Sequence, residues 1–204
     1  MHTKNIKNAA SDLHYRTNLL MSNFGHCPVD VLVRLFSSYC TAFYGAPIWS
    51  FTCIDRLLIA WKKCVKQIWK ISIRTRSCYV RHLMPLDLIS LLSIRFLKFQ
   101  HSCMSSVNPL VNFISNLSIR DTAWRNLSFI SDHFDIPLPN LSVLCNKDFV
   151  NKMIHCIKQK NDLPENDFSC ACFIAEVCQF RDGLINISSL TYDDIPFLLS
   201  FFTL

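Results

Sequence analysis

Three groups of residues in this chain have types and spacings that could do chemistry. Tyr192-Asp193-Asp194 puts an aromatic residue before paired carboxylates, a pattern that can hold a divalent metal at a β-turn. That use needs flanking strands and a third carboxylate. Here apolar, helix-like sequence follows, and Thr191 ahead of the two aspartates suits a helix N-terminus, where acids offset the dipole. The triplet therefore reads as a helix start. Cys170, Cys172 and Cys178 form C-x-C-x5-C, with His155-Cys156 upstream. Zinc modules pair C-x2-4-C with a second such pair or with spaced histidines. The fit is poor, and the expectation is buried free thiols, with a zinc-stabilised module as the alternative. His26-Cys27 carries no more.

The third group is basic. Arg56, Lys62, Lys63, Lys66, Lys70, Arg74, Arg76 and Arg81 lie close together, Asp55 is the sole acid among them, and Trp61, Trp69 and Tyr79 interleave. Such a patch can neutralise nucleic-acid phosphates, with an affinity that falls steeply with salt. The plainer reading makes the tryptophans core and the lysines a wetted surface. We take the plain reading for the tryptophans. For the charges we take the functional one, because runs of one sign are less common than mixed charge on a neutral surface. The halves of the chain agree: residues 1–100 hold 14 Lys+Arg against 4 Asp+Glu, and residues 101–204 hold 7 against 11. This predicts a front facing a polyanion and an acidic tail.

The element that presents these charges is the stretch from Thr52 to Lys70. At about 100° per residue, Ile54, Leu57, Leu58, Trp61, Cys64, Val65, Ile68 and Trp69 share one arc and the lysines the other. Thr52 with Asp55 suggests a capping box. Around it, residues 3–24 read as a helix with Leu13, Leu20 and Phe24 on one face. A second helix from Val29 to Tyr44 follows Pro28 and stops at Gly45 and Pro47. Beyond Pro85 come helices at Leu86–Met104, Leu110–Leu117, Thr122–Phe134 and Lys147–Lys158. The tail adds Phe168–Phe180, a short extended piece at Leu184–Ile187, and Thr191–Phe202. Strand alternation is lacking, so the expectation is an all-α, irregular multi-helix bundle.

Composition narrows the class. The chain has 204 residues, is 50% hydrophobic and has a positive mean hydropathy, enough apolar mass for a core. Its three glycines, Gly25, Gly45 and Gly183, are too dispersed for a phosphate-cradling loop. No cofactor is expected. The seven histidines single out no catalytic arrangement. The N-terminus has no apolar leader region, and no run approaches the ~18 apolar residues of a membrane span. Eleven cysteines without a framework spacing then read as reduced thiols in cytoplasm or nucleus. The Asn-x-Ser sequons at Asn116, Asn126, Asn140 and Asn186 carry no weight in that setting.

The string itself says more. Leu35-Phe-Ser-Ser-Tyr-Cys-Thr-Ala-Phe-Tyr-Gly-Ala-Pro-Ile-Trp49 resembles a segment that follows the palm in non-LTR (LINE-type) retrotransposon reverse transcriptases. Ala60-Trp-Lys-Lys-Cys-Val-Lys-Gln-Ile-Trp69 resembles the helix that comes next in that family. Arg74-Thr75 matches a later motif, with Ser72 where proline is usual and Arg76 in place of histidine. Arg95-Phe-Leu-Lys-Phe99, His101-Ser102, Asn108-Pro-Leu-Val111, Ala175-Glu-Val177, Arg181-Asp-Gly183 and Tyr192-Asp-Asp-Ile195 continue the resemblance. It runs from about residue 10 to the end, and the block at 35–70 is the most specific.

The resemblance implies a thumb-like helical domain over residues 1–135 and a helical C-terminal extension over 140–204. In that family the thumb grips the template–primer duplex by its backbone. The fingers and palm lie ahead of the region matched here. The expectation is therefore a chain without palm carboxylates and without polymerase activity of its own. Its partners would be an RNA–DNA or other duplex backbone and the palm of a related polymerase in trans, with no membrane contact. The alternative is a helical protein-interaction or structural domain with no nucleic-acid role.

Overall fold

A helix of about six turns and one of about four lie side by side because each carries an apolar stripe. In the computed structural model, which describes residues 2–74, 80, 83–118, 122–137 and 144–161, α1 spans His2–Phe24 and α3 spans Asp55–Ile68. Between them α2 covers Val29–Leu35. Then follow α4 (Leu88–Met104), α5 (Pro109–Ser118), α6 (Trp124–Phe134) and α7 (Lys147–Asn161). All regular structure among the described residues is helical, so the molecule is an all-α, multi-helix fold. The expected elements at 168–180, 184–187 and 191–202 lie outside the described residues.

α1 and α3 form the most extensive pair. They run parallel, because the cross-contacts climb both helices together. His14 Nδ1 lies 3.4 Å from Cys64 Sγ, Gln67 Nε2 donates to Asn18 Oδ1 at 3.0 Å, and Lys70 Nζ donates to the Gly25 carbonyl at 3.0 Å. Ile6, Leu13, Thr17 and Leu20 are the buried face of α1. Phe24, expected inward, is exposed beside Leu19 and Tyr15. Thr17 takes a core position because its hydroxyl donates to Leu13 O at 2.7 Å and so brings no unpaired polar group inside.

Trp61 and Trp69 are both core, as their spacing predicts. Trp69 also donates Nε1–H to Leu83 O at 3.0 Å, which ties the segment after α3 back to the helix. α4 packs on the turn at Ala46–Ile48, on α5 and on α7, so its buried surface is broad. α4 begins two residues later than the sequence suggests. Asp87 is its N-cap, with Oδ1 accepting from Ser90 N at 2.6 Å. α7 contributes Val150, Met153, Ile154 and Ile157 to the same hydrophobic cluster as α1 and α3. His101 Nδ1–H donates to Leu144 O at 2.9 Å and ties in the chain just ahead of α7.

Three local expectations change. Helix 29–44 ends at Cys40, in a π-turn over Phe36–Cys40 where Thr41 N reaches Phe36 O at 3.2 Å. Guanidinium groups take the carbonyls freed there: Arg16 donates to Tyr39 O and Arg95 to Thr41 O. Tyr39 turns outward, with the Arg16 guanidinium 5.8 Å from its ring centre. The capping box at Thr52 does not form. Phe51–Cys53 is a separate 3-10 turn, Thr52 Oγ1 bonds Ser50 Oγ at 2.8 Å, and α3 starts at Asp55 without a side-chain cap. That turn is fixed from outside by buried Asn126 of α6. Its Oδ1 accepts from Phe51 N at 3.0 Å and its Nδ2 donates to Trp49 O at 2.7 Å. A sequon by sequence, Asn126 is a clamp in the fold.

Candidate nucleic-acid interface

The basic residues divide by what their charged ends touch. Arg56 and Lys63 are exposed on the outer arc of α3, and Lys62 is half-buried at its edge. Arg74 is exposed beyond the helix, its backbone N–H donating to Ser72 Oγ at 3.2 Å. Arg76 and Arg81 lie outside the described residues.

Lys66 does not belong with them. Its helical position is on the polar arc, yet it is only 5% exposed. The chain after α3 folds back over it, and Nζ donates to Ile73 O at 3.0 Å. Burial, and then the neighbouring Lys62 charge, hold its ammonium below the ordinary lysine range. The expectation of an exposed phosphate contact at Lys66 is thus corrected: its side chain closes the end of α3.

Lys70 has two roles. It occupies the residue just past the helix in left-handed conformation, φ 53. Ile71 N bonds Lys66 O at 3.0 Å and Lys70 N bonds Gln67 O at 3.1 Å, a Schellman stop with lysine where glycine is usual. Its ammonium meets the Gly25 carbonyl at the end of α1, where the helix dipole is negative. Lys70 remains exposed, but part of its charge is directed inward.

The register adds residues that linear reading misses. His14 and Asn18 mark the flank of α1 that faces α3. Lys7 is seven residues before His14, two turns down the same flank, and Lys4 is one turn further. On α3, Lys63 precedes Gln67 by one turn and Arg56 precedes Lys63 by two. The contacts that pair the helices are offset by 50 and 49 residues, which sets Lys7 level with Leu57. Lys4 and Lys7, both exposed, therefore border the same groove as Arg56 and Lys63. Asp12 lies about 200° around α1 from His14 and points away. Linear spacing could not supply this, because the two lysines are some fifty residues from the run they join.

A further basic face lies on α7, where Lys147, Lys152 and Lys158 are exposed with His155. Lys160 is in an ion pair with Asp135 at 3.5 Å. Among the described residues no three His, Cys, Asp or Glu side chains converge as a metal set. Cys170, Cys172, Cys178 and Tyr192-Asp193-Asp194 are outside those residues. No described helix is long and apolar enough to cross a membrane. A cleft of about 260 Å³ lies between α2, Trp61 and residues 84–91. It is on the side of α2 and shares none of the basic residues above.

Under the groove the seam between α1 and α3 is buried. Cys64 is buried between α1 and α3, and burial pushes its thiol up to about 11. Cys40 is raised for the same reason, against the hydrogen bond of Thr17 and the charge of Arg16. Both are packing thiols, held protonated and poorly nucleophilic. The face can thus offer cations from two helices above a packed apolar seam. No protein-family model, curated protein or solved structure matches this chain.

Proposed function

We propose that the chain binds the phosphate backbone of duplex nucleic acid, without base specificity, along the groove between α1 and α3. The observation that carries this reading is a two-walled basic strip: Lys4 and Lys7 on one helix, and Arg56 and Lys63 on its parallel neighbour, with Lys62 and Asp55 on the far face of α3. Lys70, bonded to the Gly25 carbonyl, stands at one end of it. Contacts of this kind position a duplex without reading its sequence. The resemblance of residues 35–70 to the post-palm segment of LINE-type reverse transcriptases supports the same reading. In that reading residues 35–70 belong to a thumb-like module that grips a template–primer duplex by its backbone.

The test is binding of the purified chain to an RNA–DNA hybrid, with Arg56→Glu and Lys63→Glu combined as the variant. Loss of ~10-fold or more in affinity is expected at moderate salt. Unchanged affinity would remove the reading. A second reading, a protein-docking role, draws on the exposed Val107, Leu110 and Phe113 at the start of α5. Self-association that Leu110→Ser and Phe113→Ser abolish would favour it.

A further inference from the structure

We propose that the α1–α3 face takes nucleic acid where paired nucleotides give way to unpaired ones, with a base of a single-stranded extension stacked on Tyr15. This rests on the reading of that face as a phosphate-binding strip and names the form of nucleic acid it takes. Tyr15 is 69% exposed and Ile59 is 56% exposed. Both stand within the basic strip. Lys4, Ser11 and Tyr15 fall within about 40° of one another around α1. Ile59 is one helical turn from Arg56 and one from Lys63. The 50-residue offset between the two helices sets Tyr15 level with Val65, about 3 Å along the axis from Lys63.

Phosphate contacts have no use for an exposed ring. The bases of a duplex cover one another, so a tyrosine can stack only on a base with a free face, in an unpaired stretch or at an end. Grooves that hold single strands combine cations that track the backbone with aromatic rings that accept bases of any sequence. The ring of Tyr15 is open for that use. It makes no ring contact among the described residues, whereas Tyr39, on the flank of α1 that carries Arg16, has a guanidinium 5.8 Å from its centre. Length agrees. From Lys4 to the level of Lys63 the cations occupy about 14 Å of helix axis, room for roughly four phosphates of one strand at about 3.4 Å each. Tyr15 lies just past that run, where the next base arrives.

The experiment uses the full chain. Affinity is measured for a blunt RNA–DNA hybrid and for the same hybrid with an unpaired extension of about four nucleotides. The unmodified chain should bind the extended form about fivefold or more tighter. Tyr15→Ala should bind the two forms equally, within about twofold, while Tyr15→Phe, which keeps the ring, should retain the preference. A fluorescent purine analogue in the extension, bright when unstacked, should be quenched by the unmodified chain and by Tyr15→Phe but not by Tyr15→Ala. No preference for the extended form, or a preference that survives Tyr15→Ala, overturns the proposal and leaves the phosphate-binding reading standing. If neither form binds with an affinity that falls with salt, that reading fails and the stacking proposal fails with it.

Discussion

The ammonium of Lys66 lies 3.0 Å from the carbonyl oxygen of Ile73, seven residues further along the chain. This contact takes one cation out of the run on α3 and makes it part of the fold. It separates the charges that hold the domain together from those free to meet a ligand.

Lys66→Met should leave affinity for an RNA–DNA hybrid within about twofold, while Lys63→Glu weakens it several-fold. The stability change should stay within ~1 kcal/mol. The variant loses a hydrogen bond but removes a desolvated charge, and the exposed Ile73 segment leaves its carbonyl open to water. Because the folded-state pKa of Lys66 is depressed, the unfolded chain binds its proton more tightly. Its contribution to stability is therefore unfavourable at neutral pH and is relieved as pH rises through the folded value toward ~10.5. Urea melts of both proteins across pH 7–10 check this.

Asn126→Ala should cost about 2–4 kcal/mol in urea unfolding. The substitution strands Phe51 N and Trp49 O inside the protein, and each buried unsatisfied group costs ~1–3 kcal/mol. Asn126→Asp should do no better, since it loses the donor to Trp49 O and buries a charge.

Thiol chemistry should sort the cysteines. At pH 8 Cys53 and Cys145 are exposed and should alkylate readily, whereas Cys40 and Cys64 should react only on unfolding. Cys64 has a folded pKa raised to about 11, so its stabilising contribution is complete below the unfolded value of ~9. It is lost as pH climbs from there toward 11. Lys66 acts in the opposite sense in part of that window. Cys64→Ala should flatten the alkaline fall in stability, at the cost of a small cavity; mass spectrometry of labelled peptides and pH-dependent melts read both.

Lys70→Gly separates conformation from charge. Glycine removes the left-handed strain, worth roughly 1 kcal/mol. It also removes the ammonium that caps α1 at Gly25 O, worth about 0.3–1 kcal/mol. A net change between zero and ~1 kcal/mol of stabilisation is expected in thermal melts. A clear loss would mean that the cap outweighs the strain.

Much of the fold is legible in the sequence because apolar spacing reports burial. Trp61, Trp69, Leu57, Cys64 and Ile68 are inside as their periodicity requires. What fails is whatever depends on a distant partner. Thr52 looked like a cap, but Asn126, 75 residues from Phe51, sets that turn. The helix read over 29–44 stops at Cys40 because a π-turn ends it, and Arg16 meets Tyr39 on the outside. Lys66 looked solvent-facing until residues after α3 covered it, and Lys7 had no visible link to Arg56 until the parallel register of α1 and α3 aligned them.

Salt dependence of hybrid binding tests the central claim most directly. With about four to five cations on the α1–α3 face, log K should fall against log salt with a slope near −4. Arg56→Glu with Lys63→Glu should reduce that slope by about two, and Lys66→Met should leave it unchanged. A slope near zero, or equal slopes for the unmodified chain and the double variant, would contradict the account.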